Sequence, residues 1–141
     1  MIVLDTDHLS LLGREQGLLG HRLRSRLVAA GFTKLTTTII TFEEQSRGWL
    51  AHLAGIQSAE RMIDGYAKLS RHLDDFSRME VLEFDRAAAE IYFDLKAARI
   101  RVGSMDLKIA AIALSRDATL LSRNLGDFRK VPGLKVEDWC V

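Results

Sequence analysis

Ile2-Val3-Leu4-Asp5-Thr6-Asp7 is the stretch from which the fold can be read. Three apolar residues run straight into an acidic pair, and a short apolar segment follows. This predicts a buried strand that delivers an aspartate to its C-terminal tip, the edge where parallel α/β sheets place their ligands. Such an aspartate faces a crevice while a rigid core backs it. What else meets it there decides between a metal site, a phosphorylated carboxylate and no site at all.

The 141 residues are 48% hydrophobic, enough for one well-cored domain and too few for two, so residues 1–141 are read as a single domain. A net charge of +1 advertises neither a nucleic acid nor a membrane, and any such partner has to be sought in local patches. Cys140 is the only cysteine, which excludes a disulfide framework and a thiolate zinc site and fits a reducing, cytoplasmic setting. Asp5 and Asp7 interrupt any signal-peptide core, and no window approaches the roughly 18 apolar residues of a membrane span. A soluble domain is expected.

With one proline and no repeat, nothing marks a linker. His8 to Leu12 reads as a short helical turn. Leu19, Leu23 and Leu27 recur at the spacing of one helix face, with Gly31 placed to end that helix. From Glu15 to Glu43 no acid intervenes, while Arg22, Arg24, Arg26 and Lys34 add positive charge. That is a solvated helix face or, more sharply, a phosphate-tracking patch. Leu35 to Ile40 predicts the second strand, and Thr41-Phe42-Glu43-Glu44 has the form of a capping box opening the next helix. A longer helix carries Ala59, Met62, Ile63, Tyr66, Leu69, Leu73 and Phe76 on a 3.6-residue period, the two forming a hairpin arm. Val81 to Phe84 is the third strand, with Asp85 as N-cap of the helix that follows. Ser104 can cap a nearly all-apolar helix to about Ser115. Ala118 to Ser122 and Leu134 to Val136 complete the strands. Alternating strands and helices with short connections point to an α/β domain with a mostly parallel sheet.

Four acids fall where a strand hands over to a helix or loop: Asp5, Glu44, Asp106 and Asp127. Singly, each has an ordinary structural reading, Asp106 as a helix-dipole partner and Glu44 as the reciprocal member of the capping box. Together they do not. Two unit charges about 4 Å apart repel by roughly 4 kcal/mol at an effective dielectric of 20. Converging carboxylates therefore call for a cation or shared protons. All-oxygen ligation suits Mg²⁺ or Mn²⁺. His8, His21, His52 and His72 lack ligand-like spacing and read as surface or packing residues.

These residues resemble the PIN-domain family, and within it the VapC-type ribonuclease toxins of toxin–antitoxin pairs. Leu4-Asp5-Thr6-Asp7 resembles the family's opening Leu-Asp-Thr-Asn, with aspartate in place of the common asparagine. Glu44, four residues before Gly48, resembles its Ala-Glu-Leu-x-x-Gly element, with Gln45 for the usual leucine. Asp85-Arg86-Ala87-Ala88, Asp106-Leu107-Lys108-Ile109-Ala110-Ala111 and the C-terminal Leu121 to Phe128 follow in the family's order. Val131-Pro132-Gly133-Leu134 and Val136-Glu137-Asp138-Trp139 continue that C-terminal likeness.

The resemblance implies a PIN-like three-layer α/β/α domain, with about five strands and a helical-hairpin arm. It implies a Mg²⁺- or Mn²⁺-dependent endoribonuclease that cuts structured RNA, transfer or ribosomal. Asp5 and Asp106 would be inner ligands, and Glu44 and Asp127 would hold a second ion or orient water. Thr6, Ser104 and Asn124 would orient the ligands, or serve only as caps and turn residues. Asp7 would be a helix cap. No aromatic ladder is present for stacking single-stranded bases, so RNA shape would matter more than a run of bases. The expected partners are a cognate VapB-type antitoxin and a second copy of the chain, with no DNA contact by this chain alone. Two other readings remain open: a phosphatase with Asp5 as nucleophile and Asp7 as general acid, and a catalytically silent binding module.

Overall fold

In a computed structural model that describes residues 1–13 and 17–141, the elements run β1 (Ile2–Leu4), α1 (Thr6–Leu12), α2 (Leu18–Ala29), β2 (Thr36–Thr38), α3 (Ile39–Ala54), α4 (Ala59–Ser77), β3 (Glu80–Leu82), α5 (Arg86–Ala97), α6 (Ser104–Ser115), β4 (Thr119–Leu121), α7 (Leu125–Phe128) and β5 (Lys135–Glu137). Glu15, which opens the acid-free stretch, lies outside the described residues. Every ladder among them is parallel. β4 pairs with β1 on one side and β5 on the other, and β2 pairs with β3. The two sets meet where the Thr37 hydroxyl donates to the Leu4 carbonyl at 2.8 Å, a side chain bridging the seam between β1 and β2.

Alternation along these strands divides the core between two faces. Val3 and Leu120 point into a cluster with Ala88, Tyr92, Leu95 and the apolar side of α6. Leu4 and Leu121 point the other way, onto Leu9, Leu23, Leu27 and Phe76. Helices therefore cover both faces, the three-layer α/β/α arrangement expected. Ile109 to Ala113 of α6 are fully buried, and Ala110, Ala111 and Ala113 among them are small enough to let the helix pack closely against its neighbours, α5 foremost. The α2 helix ends as its leucine spacing predicts. Gly31 takes φ +82°, and the Phe32 N–H reaches the Leu27 carbonyl at 3.0 Å, a Schellman closure that needs a residue tolerant of positive φ.

Several boundaries differ from the expectation: α1 starts at Thr6 rather than His8, and β3 ends at Leu82 rather than Phe84. β2 stops at Thr38 instead of continuing to Ile40, because the Thr38 hydroxyl accepts the Thr41 N–H at 3.1 Å and caps a helix that starts at Ile39. Thr41 is thus inside α3, not its cap, and Glu44 sits in the second turn, beyond reach of a reciprocal capping bond. Ser104 is likewise the first residue of α6, whose N-cap is Gly103. The α3–α4 hairpin forms as expected, but only part of the α4 stripe is buried. Phe76 is in the core, whereas Met62, Ile63, Tyr66 and Leu73 remain exposed, Ile63 at 72%. The reason is that α4 meets α3 through a different face, where Gly65 leaves room for Leu53. No helix among the described residues is long and apolar enough to cross a membrane.

Two glycines allow a graded test of these contacts. A Cβ on Gly20 would stand 2.7 Å from the Leu11 backbone oxygen, whereas one on Gly65 would meet the flexible end of Leu53 at the same distance. Gly20→Ala should lower unfolding stability in urea by about 1–3 kcal/mol through overpacking of α1 on α2. Gly65→Ala should cost less, since a side-chain rotation relieves it.

Candidate active site

The C-terminal ends of β1 and β4 lie side by side, with the Asp5 N–H on the Leu121 carbonyl at 3.0 Å. This places Asp5 next to Ser122. Asp5 is 7% exposed and caps α1: Oδ1 accepts the Thr6 N–H at 2.8 Å, and Oδ2 accepts the Ser122 hydroxyl at 2.8 Å. Burial pushes its carboxyl up to about 6, and the charges of Asp7 and Asp106 add to that, against the bonds from Ser122 and Thr6. The cap is therefore Asp5, not Asp7 or Thr6.

Asp7 has another task. Its Oδ1 meets His8 Nδ1 at 2.8 Å, and its Oδ2 accepts the Arg123 N–H at 2.9 Å, with the Ser122 hydroxyl at 3.3 Å. Burial opposes its ionisation, but the bonds from His8 and Arg123 outweigh it and hold the carboxyl below the ordinary range.

Across the edge, the first turn of α6 supplies Asp106, and α3 supplies Glu44. Both line a groove that also includes Arg47, Gly103 and Ser104. Both carboxyls are raised, Asp106 by burial and then the charge of Asp127, Glu44 by burial and then the charge of Asp106. Asn124 precedes α7 yet makes no cap bond with its side chain. Its amide nitrogen instead donates to Asp106 Oδ2 at 3.3 Å and Asp127 Oδ2 at 3.4 Å, spanning the two acids. Asp127 is half exposed and also accepts Lys130 Nζ at 3.1 Å; that bond, then Asn124, lowers its carboxyl.

All four acids named from the sequence thus come to one edge, as do Thr6, Ser104 and Asn124. Sequence reasoning missed Ser122 and took Asp7 for a helix cap, whereas Asp7 bonds His8 and the Arg123 N–H. Ser122 is fully buried and links Asp5 to the loop through the Asn124 N–H, donated to its hydroxyl at 3.0 Å. Its only trace in the sequence is a polar residue at the end of an apolar strand. Of the histidines, His21 and His52 are exposed, while His8 and His72 are buried. His72 packs parallel to Phe42 with centroids 5.3 Å apart and bonds Ser46 at 2.9 Å.

Whether this edge suits a divalent cation can be judged from its unsatisfied groups. Glu44 Oε1 and Thr6 Oγ1 are buried without a hydrogen-bond partner; Thr6 comes near enough to temper the Glu44 carboxyl without meeting bonding geometry. A buried orphan carboxylate oxygen on the same edge as two other raised carboxyls is costly, and a hard cation is the kind of group that would offset such charge. The donor set fits. The acids nevertheless stand apart: among the described residues, the three side chains with donor atoms within 4.8 Å of one another are His8, Asp138 and Cys140. Those donors already bond one another and the backbone, and burial with Asp138 pushes the Cys140 thiol up to about 11.

A family model described as PIN domain matches residues 2–134. The tRNA(fMet)-specific endonuclease VapC of Salmonella typhimurium is 40% identical over 68 residues, 45% of this chain and 52% of that protein. Ribonuclease VapC2 of Rickettsia felis is 28% identical over 89 residues, 60% of this chain and 64% of that one. The chain thus spans less than two thirds of the length of these curated relatives. Among solved structures, the DNA-bound VapBC of Salmonella typhimurium matches with a TM-score of 0.68 at 26% identity, covering 99% of this chain and 98% of that one.

The raised Asp5 carboxyl has a measurable consequence. Titrating at 3.8 unfolded and about 6 folded, it binds a proton on folding between those values. Stability should fall as pH rises through that window, and the full cost should stand above it. Asp5→Asn can keep the cap with its oxygen and donate its amide to Ser122. The variant should be more stable at pH 7.5 by an amount on the order of 2 kcal/mol, a gain that vanishes below about pH 4. Thermal unfolding of both proteins across pH checks this.

Proposed function

The chain belongs to the PIN-domain family, and from that premise we propose that it is a VapC-type endoribonuclease toxin, dependent on Mg²⁺ or Mn²⁺ and restrained by a cognate VapB-type antitoxin. The observation that carries the reading is the gathering of Asp5, Glu44 and Asp106 on one edge of the sheet, each raised above its ordinary range, with Glu44 Oε1 buried and unpartnered. The two curated relatives, named as an endonuclease and a ribonuclease, support it.

Asp5 and Asp106 would hold the ion, with Glu44 and Asp127 completing its surroundings or holding a second one. When bound, a divalent cation supplies an activated water and relief of charge on the departing oxygen of a phosphodiester. The chain's own residues prepare for that. Ser122 keeps Asp5 in one orientation, and Asn124 spans Asp106 and Asp127. Arg123, Arg129 and Lys130, exposed on the segment beside Asp127, are placed to meet backbone phosphates, as is Arg101, whose carbonyl accepts Lys130 Nζ at 3.4 Å. Such contacts suit a structured RNA read by shape, a transfer or ribosomal RNA. A phosphatase is a poorer fit, because Asp7, its required general acid, is held ionised by His8 and the Arg123 N–H.

An antitoxin has two features to engage. A groove lined by Leu9, Leu12, Leu35, Trp49, Phe76 and Met79 runs between α1, α3 and α4, and on another side of α4 Met62, Ile63, Tyr66 and Leu73 are exposed. An arginine on such a partner would find the acidic edge complementary. Self-association belongs to the same reading, with the exposed Phe93 of α5 as an available apolar contact. DNA contact, which accompanies VapBC in Salmonella, is not assigned to this chain.

The purified chain should cleave transfer RNA in Mg²⁺ or Mn²⁺ and stop on addition of EDTA. Asp106→Asn and Glu44→Gln should each lower the rate by more than the roughly 10–100-fold that loss of an outer partner costs at a metal site. Gel analysis of end-labelled RNA is the check, and Asp106→Asn cleaving at the unaltered rate would overturn the assignment.

A further inference from the structure

We infer that Asp7 and His8 are a positioning pair that latches the loop carrying Asn124 and Asp127 onto the start of α1, and that the C-terminal segment sets this latch. Its geometry stands alone; its effect on metal binding rests on the nuclease reading above.

The chain of contacts begins at Trp139. Its ring lies beneath the Arg26 guanidinium at 4.7 Å and near Phe32 at 6.4 Å, and its indole N–H donates to Glu137 at 2.7 Å. So held against α2, Trp139 presents its backbone N–H to His8 Nε2 at 3.2 Å. His8 is fully buried. With Nε2 engaged as an acceptor, the imidazole proton belongs on Nδ1, where it donates to Asp7 Oδ1 at 2.8 Å. Asp7 then spends Oδ2 on the Arg123 N–H at 2.9 Å. That bond closes the turn after β4 against α1, 116 residues away in sequence. The next residue is Asn124, whose amide spans Asp106 and Asp127.

Asparagine cannot replace Asp7 in this arrangement. It has one acceptor oxygen, and whichever way its amide turns, the NH₂ group faces either the His8 Nδ1–H or the Arg123 N–H, donor against donor. The Ser122 hydroxyl is the hub that makes the latch matter. It has one proton, given to Asp5 Oδ2 at 2.8 Å with Asp7 Oδ2 farther off at 3.3 Å, and it accepts the Asn124 N–H. Because Asp7 is already satisfied by His8 and Arg123, the hydroxyl proton is left for Asp5. Without the pair, that proton would be contested and the loop would lose its tether. Partners of this outer kind are worth about 10–100-fold in metal affinity.

The test uses the full chain and two readouts: Mn²⁺ affinity by calorimetry, and protection of the Arg123 amide by hydrogen exchange in NMR. His8→Leu should reduce protection and weaken Mn²⁺ binding about tenfold or more. His8→Asn, which offers an amide donor in the place of Nδ1, should recover most of both. Folded His8→Leu with native Arg123 protection would overturn the inference. So would Asp7→Asn losing Mn²⁺ while His8→Leu binds it normally, since Asp7 would then be a direct ligand. Should His8→Leu fail to fold, Asp7→Ala, which offers the Arg123 N–H no acceptor, decides by Arg123 protection alone, reduced if the latch exists and native if it does not. Absence of Mn²⁺ binding by the unaltered chain would instead defeat the nuclease reading, leaving the exchange result to judge the latch.

Discussion

Parallel pairing of Ile2–Leu4 with Thr119–Leu121 is the constraint on which the acidic edge depends. In a parallel ladder both strands end at the same side, so the residues following Leu4 and Leu121 become neighbours. The Asp5 N–H on the Leu121 carbonyl extends that ladder by one bond and sets Asp5 and Ser122 within hydrogen-bonding reach. A one-residue slip would exchange the two faces of β1, moving Val3 and Leu4 into each other's clusters and turning Asp5 out of the edge. The buried alternation of Val3 and Leu4 therefore guards the position of the carboxylate as well as the core.

The same edge stores electrostatic tension. Asp5, Glu44 and Asp106 are all raised by burial and by neighbouring carboxylates, and two buried side-chain oxygens there are without partners. The surroundings offset only part of this. Asp127 is relieved by Lys130, and Asp7 by His8 and the Arg123 N–H, so the outer acids are compensated while the inner three are not. Tension concentrated on the inner acids is the pattern expected where function, not folding, requires the charges.

Much of this was legible from residue order. The strand ending at Asp5, the apolar helix after Gly103 and the leucine face closed by Gly31 follow from period and turn chemistry, which are local. The four acids could be picked out because each lies just past a strand or in the first turns of a helix, although Asp106 turns out to follow a helix-to-helix connection and Glu44 to sit in the second turn of α3. The errors were local competitions that the sequence leaves open. Thr38 and Thr41 can both cap α3, and the burial of Ile40 in the core goes with the earlier start. The apolar stripe of α4 signals a helix correctly but says nothing of what covers it, and Gly65 directs a different face onto α3.

Sequence patterning thus settled the α/β class and the order of the strands and long helices, and singled out the candidate acids, because periodicity and capping act over a few residues. Tertiary structure alone decided which polar residues join those acids. Ser122 meets Asp5 across 117 positions, and Trp139 reaches His8 across 131, contacts that no local pattern encodes. The opening Asp5-Thr6-Asp7 shows the division most plainly. Its two aspartates look equivalent in the sequence, yet the fold buries one with its charge poorly compensated and satisfies the other with a histidine and a backbone amide. The physical reason is that hydrogen-bond donors are supplied by whichever chain segment packs alongside, and packing is a property of the whole molecule.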